Sequence, residues 1–241
     1  LGVARDVISQ CVITLELAWT VIPAVILVFI AVPTWEGIFR VANPPATNTL
    51  KIKAVGHQWW WEFQYPELGL VTANEMHAPV GKSVIVDAES VDVIHAFWVP
   101  KLAGKIDALP GKTQFTWFTA EKPGRYYGQC AEFCGTSHAN MRFRVIVDTP
   151  ADFEAWVQRT KQPQKADNDA AKAGEQLFAA KGCIACHKIE GRPDAVGMIG
   201  PNLTNLKDRT SIASALIENT PENLAHWVRD PRFFKPGVLM I

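Results

Sequence analysis

The sequence carries no surplus of charge: 24 lysines and arginines balance 24 aspartates and glutamates. A nucleic-acid binder relies on a basic surface to neutralise phosphates, so no nucleic-acid partner is expected. No internal repeat is visible, which sets aside a repeat array. Cysteine is scarce, with five in 241 residues. Four of these lie in two short motifs, and Cys11 is left over in an apolar helix, where it reads as a small buried hydrophobe. Long apolar runs are few as well. Val12 to Val32 forms a run of 21 residues with a single charge, Glu16. That suffices for a bilayer-crossing helix, and it is too long and wrongly flanked for a signal peptide. Pro23 within it is tolerable in a membrane helix. Arg5 on one side and Arg40 on the other leave its orientation undecided by charge. Against these absences stand nine tryptophans, three of them consecutive, and a 48% hydrophobic content ordinary for globular protein. The length allows two small domains.

The chemistry concentrates in two places. Cys130 to Met141 reads C-x3-C-x3-H-x2-M. Cysteine and methionine are soft ligands, and a Cys/His/Met set is the ligand vocabulary of electron-transfer copper. A single-copper site needs one cysteine. Two thiolates can bridge two coppers, and a second histidine is then required. His95, in V-D-V-I-H-A-F-W-V-P, is the candidate. A Cys130–Cys134 disulfide is the plainer alternative in an oxidising compartment, but it explains neither His138 nor Met141. Zinc held by four Cys/His ligands also stays open, although methionine is not its ligand of choice. The second motif, G-C-I-A-C-H from Gly182 to His187, is C-x-x-C-H, a c-type haem attachment pattern. Cys183 and Cys186 can add to the two vinyl groups, with His187 beneath the iron. A thioredoxin-like dithiol leaves His187 unexplained.

A series of stretches resembles subunit II of the haem–copper oxidases that accept electrons from cytochrome c. They are G-H-Q-W-W-W-E-F from Gly56, T-A-N-E-M-H-A-P-V-G from Thr72, D-V-I-H-A-F-W-V-P from Asp92, K-I-D-A-L-P-G from Lys105, and the cysteine loop. This resemblance implies a dinuclear Cu(A) centre. Cys130 and Cys134 would bridge the coppers, His95 and His138 would each cap one, and Met141 and the Glu132 carbonyl would be weak axial ligands. In the family the Glu132 side chain also reaches a magnesium ion at the boundary with the catalytic subunit, and Trp59 is where electrons arrive. Glu16 would lie near the mouth of a proton pathway or simply at the headgroup boundary, and Asp107 on the surface that docks subunit I. The flanks of the second motif are similar to a cytochrome c domain: A-G-E-Q-L-F-A-A-K-G, G-P-N-L-T-N-L, H-W-V-R-D-P and K-P-G-V-L-M. By that resemblance Met240 is the sixth haem ligand, with Met198 as its rival, and His/Met ligation raises the potential.

The resemblance therefore implies a cytochrome c oxidase subunit II with a fused C-terminal cytochrome c domain. Electrons would pass from haem c through Cu(A) to haem in subunit I, where oxygen is reduced and protons are pumped. Implied partners are subunits I and III, cytochrome c or a quinol–cytochrome c reductase as donor, and membrane lipid. Covalent haem attachment occurs outside the cytoplasm, so the bulk of the chain is expected on the extracytoplasmic face of a bacterial inner membrane. The alternatives are a Cu(A)-type nitric oxide reductase subunit and a free-standing membrane-anchored carrier. Leu1 is not a methionine, and L-E-L-A-W-T-V-I-P-A matches the second of the family's two membrane helices. Residues are therefore expected upstream, and a final helix is expected beyond Ile241.

The expected architecture is a transmembrane helix with its flanks over residues 1–40, an all-β cupredoxin-like sandwich over 41–150, a short helix and linker over 151–168, and an all-α cytochrome c domain over 169–241. The membrane exit falls at Gly37 to Thr49. β-branched and aromatic runs bounded by Gly and Pro predict strands at Leu50–Val55, Trp59–Phe63, Ser83–Ala88, Gln114–Thr119 and Phe143–Val147. Thr149-Pro150 predicts a capped helix to about Thr160, with a polar linker from Lys161 to Asn168. Further helices are predicted at Ala170–Lys181, Ile212–Asn219 and Pro221–Arg229. Trp59 is placed near the copper domain's outer face, Trp60 and Trp61 in packing, and His57, His77 and His226 in structural roles.

Overall fold

The computed structural model describes residues 2–162 and 165–240. It divides into two units, Leu1–Pro44 and Pro45–Ile241. The first is a single helix, α1 (Gly2–Ala42), with Pro23 and Pro33 inside it. Its segment Gln10–Ala42 contains an 18-residue stretch of mean hydropathy 2.4 and is long and apolar enough to cross a membrane. Val12, Leu27, Ile13, Leu17, Val21, Phe29 and Leu15 succeed one another around its circumference and are all exposed, so the helix is apolar all round rather than on one stripe. The helix continues past Gly37, where the exit was expected. A lone glycine costs a helix only about 1 kcal/mol. Real stop signals come later, where Asn43 donates from Nδ2 to the Phe39 carbonyl (2.7 Å) and two prolines follow.

The second unit begins with a two-layer β-sandwich. One sheet has the order β3 (Leu70–Ala73), β2 (Trp60–Tyr65), β1 (Thr49–His57), β5 (Ser83–Ser90), β8 (Gln114–Thr119). The other runs β4 (Glu75–Pro79), β10 (Arg142–Asp148), β9 (Gly124–Cys130), β6 (His95–Trp98), β7 (Ile106–Ala108). In β1 the alternation is plain: Leu50, Ile52 and Ala54 are buried, with Lys51 and Lys53 between them. Lys51 and Lys53 pair across the parallel β1–β5 ladder with Asp87 and Glu89. Between the sheets Trp61, Phe63, Phe97 and Phe143 form one aromatic core, with Phe97 stacked on Phe143 at 4.8 Å. Gly128 is required there, because a Cβ would lie 2.3 Å from the Phe143 ring.

Helix α2 (Pro150–Lys161) starts at Thr149, whose side chain accepts from the Asp152 amide. It lays Phe153, Trp156 and Val157 on the sandwich. His77 is held there, stacked on Trp156 (4.3 Å) and bonded through Nδ1 to Asp148 (2.7 Å). Helix α3 (Asp169–Ala180) is capped by Asn168, and α4 (Pro221–Arg229) by Thr220. A short α5 (Pro231–Phe234) follows, and His226 packs against Phe233 and Phe234.

The helix expected over Ile212–Asn219 is instead a hairpin, β11 (Ser211–Ile212) with β12 (Ile217–Glu218). Its turn places Ala213, Ser214 and Ala215 in the left-handed region, at φ of 54°, 61° and 58°. The hydroxyls of Ser211 and Ser214 find partners in the sandwich rather than along a helix, and tertiary contact overrides local propensity.

Candidate copper and haem sites

The cysteine loop folds back on itself. The Cys130 amide donates to the Met141 carbonyl (2.9 Å), Met141 to His138 (3.1 Å), and His138 to Gly135 (3.0 Å). The loop thus joins the end of β9 to the start of β10, and β6 brings His95 alongside. Cys130 Sγ lies 3.7 Å from Cys134 Sγ, 3.8 Å from His95 Nδ1 and 3.2 Å from the Glu132 carbonyl. Cys134 Sγ lies 3.5 Å from His138 Nδ1 and 3.8 Å from Met141 Sδ. Both thiols are free, so the loop is not closed by a disulfide. His95, Cys130, Cys134 and Met141 are buried, and Glu132 keeps an exposed side chain. The hydrogen bond between the thiols draws Cys130 well below the ordinary thiol range and pushes Cys134 above it. Two thiols, two imidazoles, a thioether and a carbonyl in one buried cluster suit a soft metal.

A second layer holds these groups. Asp92 Oδ1 bonds His95 Nε2 (2.7 Å), leaving Nδ1 on the thiol side, and Asp92 Oδ2 accepts from the Gln58 amide (2.7 Å). Burial opposes charge on both partners. Hydrogen bonds outweigh it: those to Cys130 and Asp92 raise His95, and those from His95 and the Gln58 and Val93 amides lower Asp92. Gly56 backs the ring, since a Cβ there would stand 2.7 Å from His95 Cδ2. Gln58 Nε2 and Trp59 Nε1 both donate to the Cys134 carbonyl, at 2.8 and 2.9 Å. Sequence reasoning assigned no role to Asp92, Gly56 or Gln58, although each sits within two or three residues of a predicted site residue. Asp92→Asn should weaken copper binding about 10–100-fold by letting the imidazole turn, as loss of an orienting partner does elsewhere. Competition with a copper chelator measures this, and unchanged affinity would remove Asp92 from the site.

The second motif begins at Gly182, which is left-handed (φ 75°), and continues through a short 3-10 turn at Cys183–Ala185. Cys183 and Cys186 are free and partly buried. His187 Nδ1 bonds the Pro201 carbonyl (2.8 Å), which leaves Nε2 as the nitrogen available to a metal. Gly200 and Gly197 allow the chain to close on this segment: a Cβ would fall 2.5 Å from the His187 ring and 2.5 Å from the Ala185 carbonyl. Leu177, Val196, Ile199, Val228 and Leu239 lie exposed, and α3 and α4 bury none of their residues. Apolar surface of that kind suits a large apolar group. Two thiols, an oriented imidazole and an apolar surround thus fit a covalent haem. Met240 is partly buried, whereas Met198 is 75% exposed.

The C-terminal residues pack on the sandwich at the copper loop. Ser137 Oγ donates to the Pro236 carbonyl (2.7 Å) and Asn140 Nδ2 to that of Phe234 (3.1 Å). Glu75, 1% exposed, accepts from the Thr210 amide (2.9 Å) and from the hydroxyls of Thr210 (2.7 Å) and Ser211 (2.5 Å). Trp59 is therefore not on an outer face. It is 8% exposed, covered by residues of its own chain. His57 stacks on Trp60 at 3.9 Å, Trp61 is fully buried, and Asp107 sits partly exposed on β7.

An apolar helix, a cupredoxin-like sandwich and a helical cytochrome c domain define a membrane-anchored cupredoxin–cytochrome fusion. Residues 4–36 match the transmembrane domain of cytochrome c oxidase subunit II, 68–148 its periplasmic domain, and 171–240 cytochrome c. Cytochrome c oxidase subunit 2 of Alkalihalophilus pseudofirmus is 42% identical over 94% of this chain and 67% of its own length. That of Bacillus sp. strain PS3 is 38% identical over 92% and 67%. The crystal structure of the periplasmic domain of cytochrome oxidase subunit II from Bradyrhizobium japonicum is 40% identical, covering 48% of this chain and 94% of that one, with a TM-score of 0.46. The chain belongs to the cytochrome c oxidase subunit II family, in the form that carries a C-terminal cytochrome c domain.

Proposed function

We propose that this chain is the subunit through which electrons enter a haem–copper cytochrome c oxidase. When bound, haem c and a dinuclear Cu(A) centre supply one-electron exchange from the donor towards haem in subunit I, where oxygen is reduced with proton pumping. The convergence of six donors, five from the cysteine loop and His95 from β6, carries this reading. Cys130 and Cys134 would bridge, His95 and His138 cap, and Met141 and the Glu132 carbonyl complete the copper pair. Cys183 and Cys186 would tether the haem, with His187 and Met240 as axial ligands. Trp59 joins the two halves, its ring N–H on the Cys134 carbonyl and its far edge against Gly237. The donor is a cytochrome c or a quinol–cytochrome c reductase.

Phe133 (75% exposed) in the cysteine loop, and Val91 (60%) and Ile94 (45%) in the segment leading to His95, offer apolar surface suited to subunit I. Subunit III completes the assembly, in the inner membrane of a bacterium with both redox domains on the extracytoplasmic side. Metal analysis should find two coppers per chain and a mixed-valence EPR signal, and purification from the membrane should bring a large polytopic haem protein. One metal per chain, zinc in place of copper, or a chain that purifies alone would overturn the reading.

Glu132 has two separable roles in this scheme. Its carbonyl faces Cys130 while its side chain is exposed, free to hold a magnesium ion at the boundary with subunit I. Glu132→Gln should retain the copper spectrum and weaken Mg²⁺ or Mn²⁺ binding there, because hard cations prefer carboxylate oxygen. Bleached copper, or boundary occupancy left unchanged, would refute that division.

A further inference from the structure

Three residues of the cytochrome domain close on one tryptophan. Gly135 of the copper loop (φ +113°) and Gly237 of the methionine loop (φ +82°) both lie against the Trp59 ring. A Cβ on the first would stand 3.1 Å from Cζ2, and on the second 3.0 Å from Cη2. The ring is fixed at the copper end by its N–H bond to Cys134. Its own backbone carbonyl is fixed from the other domain. Ser214 Oγ donates to it at 2.9 Å, Lys235 Nζ donates to it as well, and Lys235 also bonds Ser214 Oγ at 2.7 Å.

Both donors reach this oxygen at a cost. Lysine usually extends its ammonium to water, yet Lys235 is 3% exposed, with no carboxylate in salt-bridge reach among the described residues. Burial lowers it to about 7. Ser214 sits in the middle of three consecutive left-handed residues, none of them glycine. Such strain persists only where surroundings over-determine it, and it clusters at functional sites. Two independent costs thus converge on a single carbonyl.

We infer that Lys235 and Ser214 are positioning residues for electron transfer between the domains: by holding the Trp59 carbonyl they keep its indole between Gly237 and the Cys134 carbonyl. The inference rests on the relay proposed above. Each event moves one electron from reduced haem to oxidised copper, with no bond made or broken.

The test uses the full-length chain with copper and haem bound. With [1-¹³C]tryptophan, Lys235→Met should shift one tryptophan carbonyl band to higher frequency in the infrared difference against wild type. After photoreduction of the haem, copper reduction should slow roughly tenfold, the scale of a small loss of alignment. Optical and EPR spectra of both centres should be unchanged. Ser214→Ala should act in the same direction and carries the test if Lys235→Met does not fold. Glu75→Gln loosens the same hairpin at its other end and should leave the carbonyl band in place, with less slowing. An unmoved band, an unchanged rate in both variants, or equal slowing by Glu75→Gln would overturn the inference. Metal and haem analysis of the wild type comes first, so failure of the relay itself is told apart from failure of this assignment.

Discussion

Cys130→Ser is expected to abolish the coupled copper pair while leaving the sandwich folded. Stoichiometry should fall below two coppers per chain, and the mixed-valence EPR signal should disappear. The core depends on Trp61, Phe63, Phe97 and Phe143, which pack on one another, so a thiol-to-hydroxyl change at the end of β9 leaves it intact. The site has no substitute. Cys130 Sγ contacts His95 Nδ1, Cys134 Sγ and the Glu132 carbonyl, and a hydroxyl is too hard a ligand to bridge soft metals. Retention of the delocalised signal in Cys130→Ser would refute the bridging assignment.

Trp59→Ala is expected to slow reduction of the copper pair by the haem on the order of a hundredfold, what an ångström-scale loss of alignment costs a positioned reaction. The copper spectrum should be preserved. Gln58 Nε2 continues to donate to the Cys134 carbonyl after the indole is gone, so that oxygen is not orphaned. The space between Gly135 and Gly237 would be empty, and the methionine loop would lose the surface it lies on. Flash photoreduction with detection at the copper band measures the rate. An unchanged rate would reduce Trp59 to packing.

Much of this architecture was legible in the sequence because its signals are local. β1, β5, β8 and β10 carry alternating or β-branched runs, and α2 and α4 carry Thr-Pro caps. The strands β3, β4, β6, β7 and β9 escaped prediction. They are short, or hold polar residues such as Glu75, whose partners Thr210 and Ser211 are distant in sequence. The cluster of candidate ligands was readable because four of them share twelve residues and soft-ligand chemistry narrows the rest. Asp92 and Gly56 were not, since an orienting carboxylate and a glycine behind a ring declare themselves only through distance. The hairpin of β11 and β12, where a helix was expected over Ile212–Asn219, shows the same limit: its helix-like composition is overruled by Glu75 and Trp59, more than a hundred residues away in the chain. The burial of Trp59 likewise depends on Gly237, which no local pattern links to it.

The seam between sandwich and cytochrome domain is built from a carboxylate, hydroxyls, an ammonium, carbonyls and one indole. A joint of that composition leaves the hydrophobic interior of the sandwich whole. Parting it would return polar groups to water and uncover the Trp59 indole, while the aromatic packing of Trp61, Phe63, Phe97 and Phe143 would stay closed. Such a joint is cheap to acquire. It needs a few side chains aimed at backbone oxygens and one buried carboxylate, and no redesign of the sandwich core.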